Sequence, residues 1–318
     1  MDHIMPRLLQ KLFSSEKIRI PRELDEGRWV GVAVCIKVRP VLTRVNYSLP
    51  FQIASNISLQ EYNSFIESKE ISGYKLDYKK GTVYIVEMCS SEREAVVEIV
   101  GDAFRELCPR AIYGLRTNAP IQILAQPLHE VPDGTRRGPD LAVRPHSNFV
   151  PNPPVPHPGP PPGDIRGNPY ARIIAEVAVS QSNSDLNEKC RLWKRQSYVR
   201  SVIGIKLYKI LNTRDASGYR ERAMKATLWR QGIARQKWYF GTVDKNGNQF
   251  PTGTNVCNAA NDPNFIINIP VRDIFYDPQI LTIGYTGPLA IPLTALYNAN
   301  AVIDLYEVQQ AVLMNQTK

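Results

Sequence analysis

The sequence predicts a mixed α/β (α+β) core, a central mixed sheet flanked by helices, with N- and C-terminal extensions. Three observations predict it. Two alternating runs meet at a Lys-Lys-Gly turn, two stretches carry apolar residues at helical spacing, and short β-branched runs fall between them. At 318 residues the chain is long enough for one large core, or a core with a smaller lobe. The boundaries expected are an N-terminal extension over 1–54, a core over 55–240 and a C-terminal appendage over 241–318.

In the first segment, WVGVAVCIKV is a β-rich run followed by Pro40 and Pro50, and no chemistry is assigned to it. SLQEYNSFIES then predicts a short helix, with Ser58 as N-cap and Glu61 closing a capping box. GYKLDY and TVYIVEM predict a hairpin through the turn at 79–81. In SSEREAVVEIVGDAFREL, residues Ala95, Val96, Ile99, Val100, Ala103, Phe104 and Leu107 share one helical face, which should cover the sheet. Further strands are expected at AIYGL, PIQILA and PDLAVRP.

Between 151 and 163 stand eight prolines, which exclude a helix or central strand because proline lacks an amide proton and fixes φ. A stiff connector is the expectation; a ligand for a proline-reading domain is the alternative. After it come the strand ARIIAEVAVS, a helix from about 184 to 199, and the strands VIGIKLYKIL and AMKATLWRQ. The remainder holds turn signals and the apolar runs FIINIPV and AVIDLYEVQQAVL.

Composition narrows the function classes. Lys and Arg number 39 against 30 Asp and Glu, a net charge of +9 that admits a polyanionic partner. Residues 189–237 hold fourteen basic side chains against Asp215 and Glu221, with aromatic residues interleaved, a pattern suited to phosphate contacts with base stacking; a solvated basic face with core aromatics is the alternative. The five cysteines form no CxxC pair, which argues against a disulfide framework or a thiolate zinc site and for a reducing compartment. No apolar stretch approaches the roughly 20 residues of a membrane span, and the N-terminus lacks the basic-then-apolar order of a secretory signal. The expected location is intracellular, cytoplasmic or nuclear. No GxxxxGK[ST], GxGxxG or GxSxG occurs, and the four histidines are scattered.

Two carboxylates stand out. GPDLAVRP sets Asp140 at the start of a strand, and ARIIAEVAVSQS encloses Glu176 in an apolar run, where an uncompensated carboxylate costs several kcal/mol. Alternation puts Glu176 on one face with Ile174, Ala178 and Ser180. If Leu186, Cys190, Trp193 and Ser197 face the sheet from the next helix, Lys189 lies at the edge of that face, aimed inward. Two carboxylates, the Val177 carbonyl and a lysine form a coherent set for a Mg²⁺ ion (or Mn²⁺) and phosphodiester hydrolysis. The structural alternatives are an Asp140 pair with Arg136 or Arg137, a Glu176 pair with Arg172 or Arg144, and a Lys189 on the helix rim with only its stem buried.

The succession GPDLAV, IIAEVAVSQS and DLNEKC resembles the PD-(D/E)XK restriction-endonuclease-like superfamily. It is similar, more narrowly, to the Uma-type branch of restriction endonuclease-like proteins, in which the lysine has moved from the strand to the following helix. The resemblance covers about residues 55–230 and includes the order of the SLQEY helix, the hairpin and the SSEREAVV helix. It implies a restriction-endonuclease-like fold, a divalent metal, a nuclease acting on DNA, and Asp140, Glu176 and Lys189 as the matching positions. The chain departs from the pattern twice: Ala178 stands at the third position of the E-x-K element, and Arg93 stands where the branch often has histidine. The rival reading is a catalytically inactive protein of the same fold that binds nucleic acid or a protein partner. A carboxylate-pair glycosidase would need an aromatic sugar platform, to which nothing in the sequence points.

Overall fold

The computed structural model describes residues 49–68, 73–131, 133–147, 149, 168–276 and 294–316. The WVGVAVCIKV run, the proline-rich segment and His157 lie outside the described residues. The chain divides into two compact units, Met1–Cys89 with Gly134–Arg136, and Ser90–Asp133 with Arg137–Lys318.

The first unit is a three-stranded antiparallel sheet of order β1-β3-β2 with one helix, from β1 (Phe51–Ala54), α1 (Leu59–Ser68), β2 (Tyr74–Lys79) and β3 (Thr82–Met88). The capping box forms as expected: the Ser58 N–H donates to Glu61 Oε2 at 2.8 Å, and the Glu61 N–H to Ser58 Oγ at 3.2 Å. Lys80 and Gly81 both have positive φ, 47° and 84°, the geometry of a two-residue hairpin turn. Ala54, Ile57, Tyr62, Phe65 and Val83 make the core, and Tyr62 stacks on Tyr78 with ring centroids 5.0 Å apart.

The second unit carries the mixed sheet. After α2 (Ser91–Arg105) come β4 (Ile121–Ala125), the two-residue strands β5 (His129–Glu130) and β6 (Arg136–Arg137, the first residue of which belongs to the first unit), β7 (Leu141–Pro145) and β8 (Ile173–Ala178). Helix α3 (Asn183–Lys194), β9 (Ser201–Leu207), β10 (Ala223–Arg230) and β11 (Gln236–Gly241) follow, then β12 (Ile266–Pro270), β13 (Asn300–Asp304) and α4 (Leu305–Asn315). Six strands lie in the order β11-β10-β9-β8-β7-β4. Only the β8–β9 pair of this sheet is parallel, with α3 as its crossover.

Alternation along β8 explains why both faces are covered. Ile173, Ala175 and Val177 join a buried cluster with Val96, Val100 and Phe104 of α2. Ile174 and Ala178 join another with Leu186, Cys190 and Trp193 of α3. Residues 241–318 feed the first of these clusters: Ile267, Ile303, Leu305, Val308 and Val312 belong to it.

Two expectations differ from the structure. AIYGL is not a strand; Arg110–Tyr113 form a single helical turn after Pro109, closed by Gly114 at φ 68°, and Ile112 and Leu115 are exposed. The helix predicted to Val199 ends at Lys194, because Gln196, Tyr198 and Val199 turn inward to bury themselves. Among the described residues no helix is long and apolar enough to cross a membrane.

Candidate hydrolytic site

Asp140 immediately precedes β7, and Glu176 is the fourth residue of β8. The antiparallel register pairs Leu141 with Ala175, so one step farther Asp140 lies opposite Glu176. Both are buried, 2 % and 1 % exposed. Strand pairing thus sets side by side the backbones of two residues 36 positions apart, while side-chain partners reach them from the two helices on opposite faces of the sheet, α2 for Asp140 and α3 for Glu176.

Both carboxylates are held by donors from other elements. Asp140 Oδ2 accepts the Val177 backbone N–H at 2.7 Å, while Oδ1 pairs with Arg93 Nη2 at 2.5 Å. Arg93 also reaches Glu94 Oε1 through Nη1 at 2.6 Å. Across the strand pair, Glu176 Oε1 accepts the Trp193 indole N–H at 2.6 Å, and Oε2 pairs with Lys189 Nζ at 3.2 Å. Lys189 and Trp193 are one helical turn apart on α3, which is why both arrive at the same side chain.

Helix capping sets this alignment. Ser182 Oγ accepts the Asp185 N–H at 3.1 Å and starts α3 directly after β8. Leu186, Cys190 and Trp193 then anchor its inner face. On the opposite side of the sheet, Ser90 caps α2 by accepting the Arg93 N–H at 3.3 Å, so Arg93 sits in the first turn, within reach of Asp140.

Lys189 points inward, as the helical period predicted. Of the arginines near them in sequence, Arg136 pairs with Glu67, Arg137 Nη2 lies 3.7 Å from Asp133, Arg144 Nε donates to Gln122 Oε1 at 3.1 Å, and Arg172 Nη1 donates to the Tyr170 carbonyl at 2.5 Å. A cation that the sequence reading did not weigh, Arg93, 47 positions upstream, pairs with Asp140. Sequence reading also missed Trp193 as a hydrogen-bonding residue; the available signal was an indole N–H that needs a partner when buried one turn from Lys189. His129 was set aside as scattered, yet it is buried and meets the Trp193 ring edge-on at 6.0 Å.

Carboxylate and carbonyl oxygens are the donor types that Mg²⁺ and Mn²⁺ take, each ion keeping several waters. The Val177 N–H marks the strand edge that faces Asp140, and in a pleated strand a residue's carbonyl points to the same edge as its N–H. Asp140 Oδ1 is the oxygen at which an ion would take the place of Arg93. Among the described residues there is no group of three or more His, Cys, Asp and Glu side chains able to hold a metal.

No family model matches this chain, and no curated protein does. Among solved structures it is similar to a chain from Anabaena variabilis described as "a putative nuclease belonging to DUF820", at 12 % identity and a TM-score of 0.36, over 57 % of this chain and 84 % of that one.

Beside Glu176 the same face of the sheet turns basic. Ala178, fully buried, is paired in register with Lys206 of β9, whose ammonium donates to the carbonyls of Val179 at 2.6 Å and Gln181 at 2.5 Å.

Proposed function

We propose that this chain is a metal-dependent nuclease of restriction-endonuclease-like fold that hydrolyses phosphodiester bonds in DNA. Asp140, Glu176 and the Val177 carbonyl would hold Mg²⁺ or Mn²⁺, and Lys189 would assist. The reading is supported by two buried carboxylates on neighbouring strand positions, Asp140 just before β7 and Glu176 on β8, with the Lys189 ammonium on the second. When bound, the ion supplies an activated water and offsets charge building on phosphorus.

The chain's own groups do the rest. Trp193 fixes one Glu176 oxygen and leaves the other to Lys189, so the carboxylate cannot rotate away. Lys189, tethered to Glu176, orients the attacking water and stabilises the anionic phosphorane. Arg93 neutralises Asp140 in the resting protein and, once released, offers a planar guanidinium suited to phosphate oxygens.

The test is incubation of the purified protein with supercoiled plasmid and with single-stranded DNA, under Mg²⁺, Mn²⁺ or EDTA, beside Asp140→Asn and Glu176→Gln. Expected is cleavage that requires the metal and falls by ~10²-fold or more in either variant. Equal cleavage in wild type and variants would remove the site.

A second reading has its own observation: each carboxylate already carries a cation, Arg93 or Lys189. On that reading the cluster is a structural polar core, and the protein binds nucleic acid or another partner without cutting it. DNA binding with no cleavage under any metal would favour it.

A further inference from the structure

The sheet register lines up a track of side chains that starts beside Glu176 and ends at the open edge of the sheet. One row runs Ala178, Lys206, Lys225, Tyr239 across β8, β9, β10 and β11. The adjoining row runs Glu176, Gly204, Thr227, Lys237. Residues paired directly across strands present their side chains to one face, so the carboxylate, the three lysines and Tyr239 lie on the α3 face of the sheet. The packing agrees: Trp238 and Phe240, which alternate with them, join the cluster on the opposite face.

The outer end of this track is open. β11 has β10 on one side and no strand on the other among the described residues. Lys237 is exposed, and Tyr239 is 49 % exposed. The Lys225 ammonium lies 5.7 Å from the Tyr239 ring centroid and donates to Asn183 Oδ1 at 3.0 Å. Lys225 is itself buried, and its pKa is pushed below the usual lysine value by that burial, then by the positive charges of Lys237, Arg235 and Lys245. Such mutual repulsion marks a field that an anion would relieve.

We infer that the outer end of this track is a binding surface for single-stranded nucleic acid, with phosphates at the exposed Lys237, Arg235 and Lys245, an unpaired base stacked on Tyr239, and the buried Lys225 adding positive charge from beneath. Closely set lysines and arginines recognise the backbone of any nucleic acid. The exposed ring at the end of the row requires a base whose face is free, which a duplex interior does not offer. The track deepens the hydrolytic reading by naming its substrate class, and is tested by binding, so that either can fail alone.

The measurement is fluorescence anisotropy of a labelled oligothymidylate with the full chain in EDTA, where no cleavage interferes, with heparin as a polyanion lacking bases. Tyr239→Ala should weaken oligothymidylate binding about 5- to 100-fold, the range set by one stacked base, and leave heparin binding unchanged. Tyr239→Phe should bind as wild type does. Lys237→Ala should weaken both ligands and reduce the salt slope on the oligonucleotide by about 0.7, the value of one phosphate contact on a single strand. Oligothymidylate affinity unchanged in Tyr239→Ala, a parallel loss for heparin in that variant, or no single-strand binding by the wild type at low salt would overturn the inference. Loss of binding with cleavage intact, or the reverse, tells the two proposals apart.

Discussion

Glu176 shows how a buried charge is made tolerable in this chain. Its oxygens are divided between an indole N–H and an ammonium, both from α3. Breaking one half of a buried pair typically costs ~3–5 kcal/mol, because the remaining charge is left uncompensated. Lys189→Met should therefore lower stability by that order in urea unfolding, and Lys189→Met with Glu176→Gln should recover much of the loss. A Lys189→Met variant as stable as wild type would show that the pair is not formed in solution. The inward aim of Lys189 could be read from the sequence, since helical period alone decides it. The Arg93–Asp140 pair could not, because it joins positions 47 apart through the packing of α2 on the sheet.

Cys257 gives a prediction of the opposite sign from an acid pair. Burial, with smaller contributions from the Asp304 and Asp262 carboxylates, raises its thiol from 9.0 to about 12. A folded pKa above the unfolded one means that stability is full below about pH 9 and is lost as pH rises toward 12. Cys257→Ala should flatten that alkaline loss in a series of melts, and a profile identical to the wild type would contradict the assigned burial.

At the scale of elements, the contact between α3 and β9 is the tightest constraint on the site. A Cβ at Gly204 would lie 2.9 Å from both Cys190 Sγ and Trp229 Cζ3. Gly204→Ala should cost ~1–3 kcal/mol by overpacking and push α3 outward, carrying Lys189 away from Glu176. A melt unchanged from wild type would show that α3 packs more loosely than described. Element types were legible wherever pattern and local signals agreed, as in the α1 capping box, the β2–β3 hairpin and the apolar face of α2. They misled at AIYGL, where a β-like composition is overruled by Pro109 in front and Gly114 behind. The end of α3 was misjudged for a related reason: Tyr198 and Val199 continue an apolar pattern but reach the core from a turn.

At the scale of the molecule, the last quarter of the chain completes the core of the second unit. Leu305 begins α4 fully buried in the cluster that includes Val96 and Phe104. Leu305→Ala should destabilise by ~2–5 kcal/mol, as core truncations do; a cost near zero would mean that the segment packs peripherally. Nothing in the sequence revealed this, since AVIDLYEVQQAVL advertises apolar residues without saying which face of which sheet they cover. The charge pattern was half legible in the same way. Residues 189–237 read as one basic region, but the fold sorts them: Arg222 is buried against the Tyr208 carbonyl, Arg230 pairs with Asp273 on the α2 side, and Lys206, Lys225 and Lys237 share the α3 side with Glu176.

The most direct test of the two-carboxylate centre is Mn²⁺ titration followed by electron paramagnetic resonance, which reads the ion without requiring catalysis. One bound Mn²⁺ is expected in the wild type, weakened by Asp140→Asn and by Glu176→Gln, and tightened by Arg93→Gln, which frees Asp140 Oδ1. Binding that is absent from the wild type, or indifferent to both carboxylate substitutions, would contradict it.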